Sequence, residues 1–224
     1  MSTVTHELRT PLTSIRALTE ILLDTPDVGA EERKKFLGII AKEAERLTRL
    51  INQVLDLAKI ESGRGDWAAV QVDMKEVIAD TLAAMDQLFR EKNIKVEARL
   101  PEKVSTVTVD LDRMIQVMLN LLSNAVKFCD GVNGRIEIAL AERDGSLRVD
   151  VRDNGRGISP EHHEAIFSKF HQVGDTLTDK PHGSGLGLNI SRQIVEHFGG
   201  RMWVESQLGT GARFSFTLPT GATS

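Results

Sequence analysis

The run Asp110-Leu-Asp-Arg-Met-Ile-Gln-Val-Met-Leu-Asn-Leu-Leu-Ser-Asn-Ala-Val-Lys-Phe128 decides how the rest of the chain is read. Asp110 suits an N-cap, because its carboxylate can accept from a free amide of the first turn. The spacing predicts a helix over 111–128. Asn120, Asn124 and Lys127 recur at i, i+4 and i+7, so they share one face. Met118, Leu122 and Ala125 fall on the opposite side and mark it as facing a core. Asparagine is a poor helix former, so two of them in mid-helix weigh against a merely solvated face. Two amides and an ammonium in one stripe suit a metal-bound phosphate. Amide oxygens can ligate Mg²⁺, and the lysine can meet a phosphate oxygen.

Outward from this helix, strands and helices mix. Strands are expected at 69–72, 94–99, 106–109, 135–141, 147–153, 201–205 and 212–218. Helices are expected at 74–90 and 186–198, with a short one near 160–167. Phe214, Phe216 and Leu218 alternate with polar residues, as in a half-buried strand. Glycine divides the chain unevenly, crowding between Gly131 and Gly211. The first 62 residues read as helix, broken once by the turn formers of 24–29. In the second helix Phe36, Ile40, Ala44, Leu47, Ile51, Val54 and Ala58 step by threes and fours, close to an a/d seam. Leu37, Leu50, Leu55 and Leu57 widen that seam beyond what one partner helix covers. A two-helix hairpin is too small to hold a core alone, so two hairpins should pair as a four-helix bundle in a homodimer. The competing arrangement packs the hairpin on the downstream domain. The expected division is 1–62 helical, 63–67 linker and 68–219 α/β.

Composition narrows the function. The chain has 224 residues, 41% hydrophobic and 27% charged, which is ordinary for a globular protein. The longest apolar runs, 67–70 and 138–141, are far short of the ~18 residues a membrane span needs. Net charge is −4 with no basic block, so neither nucleic acid nor a membrane is an expected partner. One cysteine, Cys129, excludes an internal disulfide and a multi-cysteine zinc site. A cytoplasmic setting is expected. No short-period repeat or low-complexity tract is present.

Three further segments hold candidate chemistry. His6-Glu-Leu-Arg-Thr10-Pro11-Leu12 lies in the first helix, whose apolar seam is Leu8, Leu12, Ile15 and Leu22. Ile15 is nine steps from His6, or roughly half a turn around the helix, so His6 should be exposed. Thr10 stands one turn along the same face. Pro11 cannot donate to the Glu7 carbonyl and should kink the helix there, weakening that turn. An exposed imidazole beside a carboxylate suits a nucleophile, although a lone surface histidine is more often only solvated. Asp153-Asn-Gly155-Arg-Gly157-Ile158 follows a strand, and Gly183-Ser-Gly185-Leu-Gly187-Leu188 opens a helix whose amides favour anions. Neither is a P-loop or a dinucleotide fingerprint. The polar stretch 173–182 between them suits a lid. The remaining histidines, among them His162, His163, His171 and His197, read as scattered surface or structural residues.

Taken in order, these segments resemble the catalytic core of sensor histidine kinases of two-component systems. His6–Leu12 looks like the family's H box, Asn120–Phe128 the N box, Asp153–Ile158 the first glycine box, Phe167–Phe170 the F box and Gly183–Leu188 the second glycine box. The resemblance runs from residue 1 to about 219. It implies a fold of α + α/β class: a hairpin forming a dimeric four-helix bundle, then a two-layer α/β sandwich that binds ATP, as in gyrase and Hsp90. It implies His6 as phosphoacceptor, Glu7 as neighbouring base and Thr10 as the residue orienting water for dephosphorylation. It further implies Asn124 as the Mg²⁺ ligand with Asn120 beside it, Lys127 on phosphate and Asp153 on the adenine amino group. Gly155, Gly157, Gly183, Gly185, Gly187 and Leu188 would shape the rest of the ATP pocket. ATP and Mg²⁺ are the implied cofactors, and a response regulator receiver domain the implied partner. Cys129 and Asn189 depart from the family's common residues. Members carry more helix before the histidine, and a sensor domain before that, so this chain reads as an excised core with an added Met1, and no receiver domain follows. The alternatives are an ATPase of the gyrase or Hsp90 type, or a nucleotide-binding scaffold without phosphotransfer.

Overall fold

A computed structural model describes residues 2–25, 27–62, 67–171 and 184–221. The chain divides into two compact units, one built on an N-terminal helical pair and the other on the sheet that follows. In the first, α1 (Ser2–Asp24) and α2 (Ala30–Glu61) pack together. The α1 helix runs on through Pro11, which is buried. Between the helices the Thr25 amide donates to Ile21 O and the Val28 amide to Thr25 O. Gly29 supplies no side-chain cap to α2, but Glu31 and Glu32 stand in its first turn, where the helix dipole favours acids. Only Leu50 and Leu57 of α2 are buried. Six large apolar side chains of the pair stay exposed, from Ile21 at 43% to Leu23 at 73%, with Leu12, Leu37, Ile51 and Leu55 between.

In the second unit, β1 (Ala69–Val72) pairs antiparallel with β3 (Val107–Asp110). The main sheet has the order β2 (Lys95–Arg99), β4 (Arg135–Arg143), β5 (Ser146–Asp153), β7 (Ala212–Pro219), β6 (Arg201–Ser206). The β2–β4 pair is parallel and the others antiparallel. Inward positions of β4, β5 and β7 alternate with outward ones, burying Ile136, Ile138, Leu147, Val149, Phe216 and Leu218. Against them lie α4 (Leu111–Phe128) and α5 (Gly187–His197), and α3 (Met74–Glu91) packs on α4. Each fully buried Leu, Ile or Phe contributes about 1.5–3 kcal/mol. The aliphatic core thus fixes where the ends of α4 and β5 meet.

The expected elements fall within a residue or two of these bounds, and α4 matches residue for residue. The exception is 160–167. It is not one helix but two 3₁₀ turns, Pro160–His162 and Ala165–Phe167. Their bonds are all of the tighter kind, His163 N to Pro160 O and Phe167 N to Glu164 O among them. So short a segment cannot recover the cost of nucleating an α-helix.

Candidate functional site

On the helical pair, His6 is exposed, as its angular position requires. Thr10 Oγ1 donates to the His6 carbonyl at 3.2 Å, which places the hydroxyl one turn away on the same face. Glu7 is half-buried and its Oε2 lies 3.9 Å from Arg46 Nη2 on α2. The same guanidinium lies 3.8 Å from Glu43. Arg46 was not legible in the sequence, because only the packing of α2 on α1 brings it to Glu7.

In the second unit, Asp110 caps α4 by accepting from the Arg113 amide at 3.1 Å. The helix buries Met118, Leu122 and Ala125 and leaves Asn120, Asn124 and Lys127 on its polar side. Asn120 Nδ2 donates to Ser191 Oγ of α5 at 2.9 Å. A side chain at Gly187 would collide with the Asn120 amide, so the glycine lets Asn120 lie against the start of α5. The half-buried Asn124 amide has no hydrogen-bond partner among the described residues, which leaves its oxygen open to a ligand. The Lys127 ammonium lies 4.3 Å from the Phe128 ring, and the Arg156 guanidinium is over the same ring at 4.9 Å. Partial burial, then repulsion from Arg156, lowers the Lys127 pKa.

Asp153 ends β5 and is 4% exposed. Its Oδ1 accepts from the Gly155 amide at 2.8 Å and the Ala212 amide at 3.4 Å. Its Oδ2 has no such bond among the described residues. Burial pushes the carboxyl above the usual range, against the lowering by the two amides. A Cβ at Gly155 would strike the Phe128 carbonyl, so bare backbone brings the β5 end against the α4 end. Gly157 and Gly185 take positive φ of 71° and 67°. The Phe170 amide donates to the Gly185 carbonyl at 3.0 Å, and Asn189 Nδ2 donates to the Phe167 carbonyl at 2.8 Å. The F box and the start of α5 are thereby tied together.

The structure thus gathers Asn120, Asp153, Gly155 and Gly187, with Asn124 and Lys127 on the same helix face. Leu188 is half-buried in the first turn of α5. Gly183 and the expected lid lie outside the described residues. Sequence reasoning missed Ser191, one turn beyond Gly187 in α5, and Ala212, which is far from Asp153 in sequence. It also read the histidines as scattered, whereas the His162 and His171 rings are 5.9 Å apart. Burial and then Asp153 raise the Cys129 pKa, so its thiol is a poor nucleophile. Among the described residues no group of three or more His, Cys, Asp or Glu could hold a metal ion. No described helix is long and apolar enough to cross a membrane.

The chain thus combines a helical pair presenting an exposed histidine with an α/β unit that brings a buried carboxylate, an amide stripe and close-packed glycines onto α4, β5 and α5. Residues 1–63 match the His Kinase A (phospho-acceptor) domain, and residues 109–222 match the histidine kinase-, DNA gyrase B-, and HSP90-like ATPase. The chain belongs to the histidine kinase family. It is 36% identical over 222 residues to sensor histidine kinase AruS of Pseudomonas aeruginosa, covering 97% of this chain and 22% of that protein. Among solved structures, full-length ShkA in complex with AMPPNP superposes with a TM-score of 0.73 at 28% identity, covering 99% of this chain and 46% of that one. Histidine kinase ThkA, in complex with the response regulator protein TrrA, gives 0.77 at 27% identity, covering 98% and 60%. The chain therefore spans about a fifth of that curated relative's length.

Proposed function

We propose that this chain is an ATP-dependent protein-histidine kinase that phosphorylates its own His6 and passes the phosphoryl group to an aspartate of a response regulator. The observation that carries this reading is the pairing of an exposed His6–Glu7 with a second unit whose buried Asp153 offers one free carboxylate oxygen. That oxygen suits the adenine amino group, a donor. Asn124, with its uncommitted amide, would hold Mg²⁺, and Lys127 would meet a phosphate oxygen. Mg²⁺ when bound neutralises charge on the β- and γ-phosphates. The neutral His6 ring nitrogen attacks the γ-phosphorus in line, forming an N–P bond as the bond to the ADP oxygen breaks. Glu7 takes the proton from the other ring nitrogen, a role typically worth 10²–10⁴-fold. Thr10 orients water for the reverse task of clearing phosphate from the regulator.

The six exposed apolar side chains of the helical pair support a homodimer, since a second hairpin would cover them. The reading as a gyrase- or Hsp90-type ATPase is not favoured, because it has no use for a phosphoacceptor domain over residues 1–63. The testing experiment is incubation with γ-labelled ATP and Mg²⁺, followed by acid and by base. Label lost in acid and retained in base supports phosphohistidine; no label, or base-labile label, rejects it. Adding a receiver domain should then drain the label.

A further inference from the structure

The outward face of the main sheet carries more arginine than carboxylate, in a chain whose net charge is negative. A cavity of about 350 Å³ opens on it, a second of about 570 Å³ opens at its edge beside the β6–β7 turn and Pro160, and Arg213 lines both. Arg143 and Arg148 line the smaller and Arg152 the larger. Glu137, paired with Arg135, lies opposite Arg152 in the β4–β5 register, and the cavity linings hold two carboxylates against these four arginines, Asp150 and Glu205. Both carboxylates are already engaged. Asp150 Oδ1 accepts from Arg148 Nε at 2.8 Å and from Ser215 Oγ at 2.5 Å. Glu205 accepts from Trp203 Nε1 at 3.1 Å and takes longer contacts of 3.5 Å from Arg148 and Arg213. Arg143 has no ion pair among the described residues, and Arg152 makes no direct one, though its charge acts on the neighbouring Asp153. In a chain of net charge −4, these cavity linings hold an excess of positive charge.

The face also carries an aromatic platform. Trp203 is half-buried, with Arg148 over its ring at 5.0 Å and Arg201 at 6.0 Å. Its bond to Glu205 restrains the indole, and tryptophan and arginine are both enriched at protein interface hot spots. Small residues, Ala141, Ser146 and Thr217, floor the smaller cavity. Arg143 pairs in register with Ser146 at one end of β5, and Arg152 stands near the other end. Six residues of strand separate those ends, about 20 Å.

We propose that the outer sheet face between Arg143 and Arg152 is a docking surface for an acidic, extended segment of a partner protein. Carboxylates of that segment meet Arg143, Arg213 and Arg152, and an apolar side chain lies on Trp203. A uniform polyanion fits less well, because Asp150 and Glu205 sit among the arginines and repel it. The surface is independent of phosphotransfer, so it is tested by binding alone. The probe is a fluorescein-labelled peptide alternating glutamate with leucine, its control the same peptide with glutamine, both followed by anisotropy with the full chain. Saturable binding is expected for the glutamate peptide, at least tenfold tighter than for the glutamine control. Arg143→Glu with Arg213→Glu should weaken it at least tenfold while ATP binding is unchanged, and Arg143→Gln alone should weaken it in the same direction. Absence of saturable binding, equal affinity for the two peptides, or wild-type affinity in the charge-reversed variant would overturn the proposal. So would more effective competition by oligothymidylate or by phosphatidylserine vesicles than by unlabelled peptide.

Discussion

Asp153→Asn separates recognition of adenine from stability. In the wild type, Oδ1 is held by the Gly155 and Ala212 amides, so Oδ2 alone faces a ligand. An asparagine keeps its carbonyl oxygen on those two donors, because they can only be met by an acceptor. Its NH₂ then occupies the Oδ2 position and opposes the adenine amino group, donor against donor. The lost bond to a charged acceptor is worth about 1.5–3 kcal/mol, or roughly 10- to 150-fold in ATP affinity. Stability should move the other way. Burial raises the Asp153 pKa, so folding penalises the charged form relative to the acid. The stability this group contributes is fully present below the ordinary aspartate pKa and is lost as pH rises through the raised value. At neutral pH the asparagine variant should therefore be at least as stable as wild type, and the difference should shrink as pH falls through that window. Nucleotide titration by calorimetry and urea unfolding at several pH values check both halves. ATP affinity unchanged in the variant, or a variant that is destabilised most at neutral pH, would refute the reasoning.

Gly155→Ala should cost about 1–3 kcal/mol of stability by overpacking, because the new methyl meets the Phe128 carbonyl rather than a yielding side chain; unfolding by urea measures it. Thr10→Ala should leave autophosphorylation within about twofold of wild type, a small change in barrier, while a phosphorylated receiver domain loses its label more slowly in the variant's presence. Leu55→Glu, at a side chain 54% exposed in the helical pair, should shift the protein toward monomer in sedimentation velocity at concentrations where wild type associates.

Much of this arrangement was legible in the sequence, for identifiable reasons. The amphipathic period of α4 and the Asp110 cap fix that helix locally. The alternation of Phe214, Phe216 and Leu218 does the same for β7. The polar stripe Asn120, Asn124, Lys127 follows from helical spacing alone. What escaped was set by tertiary contact. Ala212 reaches Asp153 from 59 residues away, and Ser191 reaches Asn120 from 71. Arg46 meets Glu7 only because two helices pack. The segment 160–167 has a helix's composition, yet its length confines it to 3₁₀ turns. The outer sheet face was invisible for another reason: its arginines alternate with inward residues along separate strands, so no basic run appears in the chain.

The account rests on His6 receiving the γ-phosphoryl group. Mass spectrometry at neutral pH, on the wild-type chain and on His6→Gln after incubation with ATP and Mg²⁺, tests this most directly. The expected result is one phosphoryl group on the wild-type peptide containing His6, and none anywhere on His6→Gln, with ATP still bound by both. A phosphoryl group on a different residue, or one that persists in His6→Gln, would contradict it.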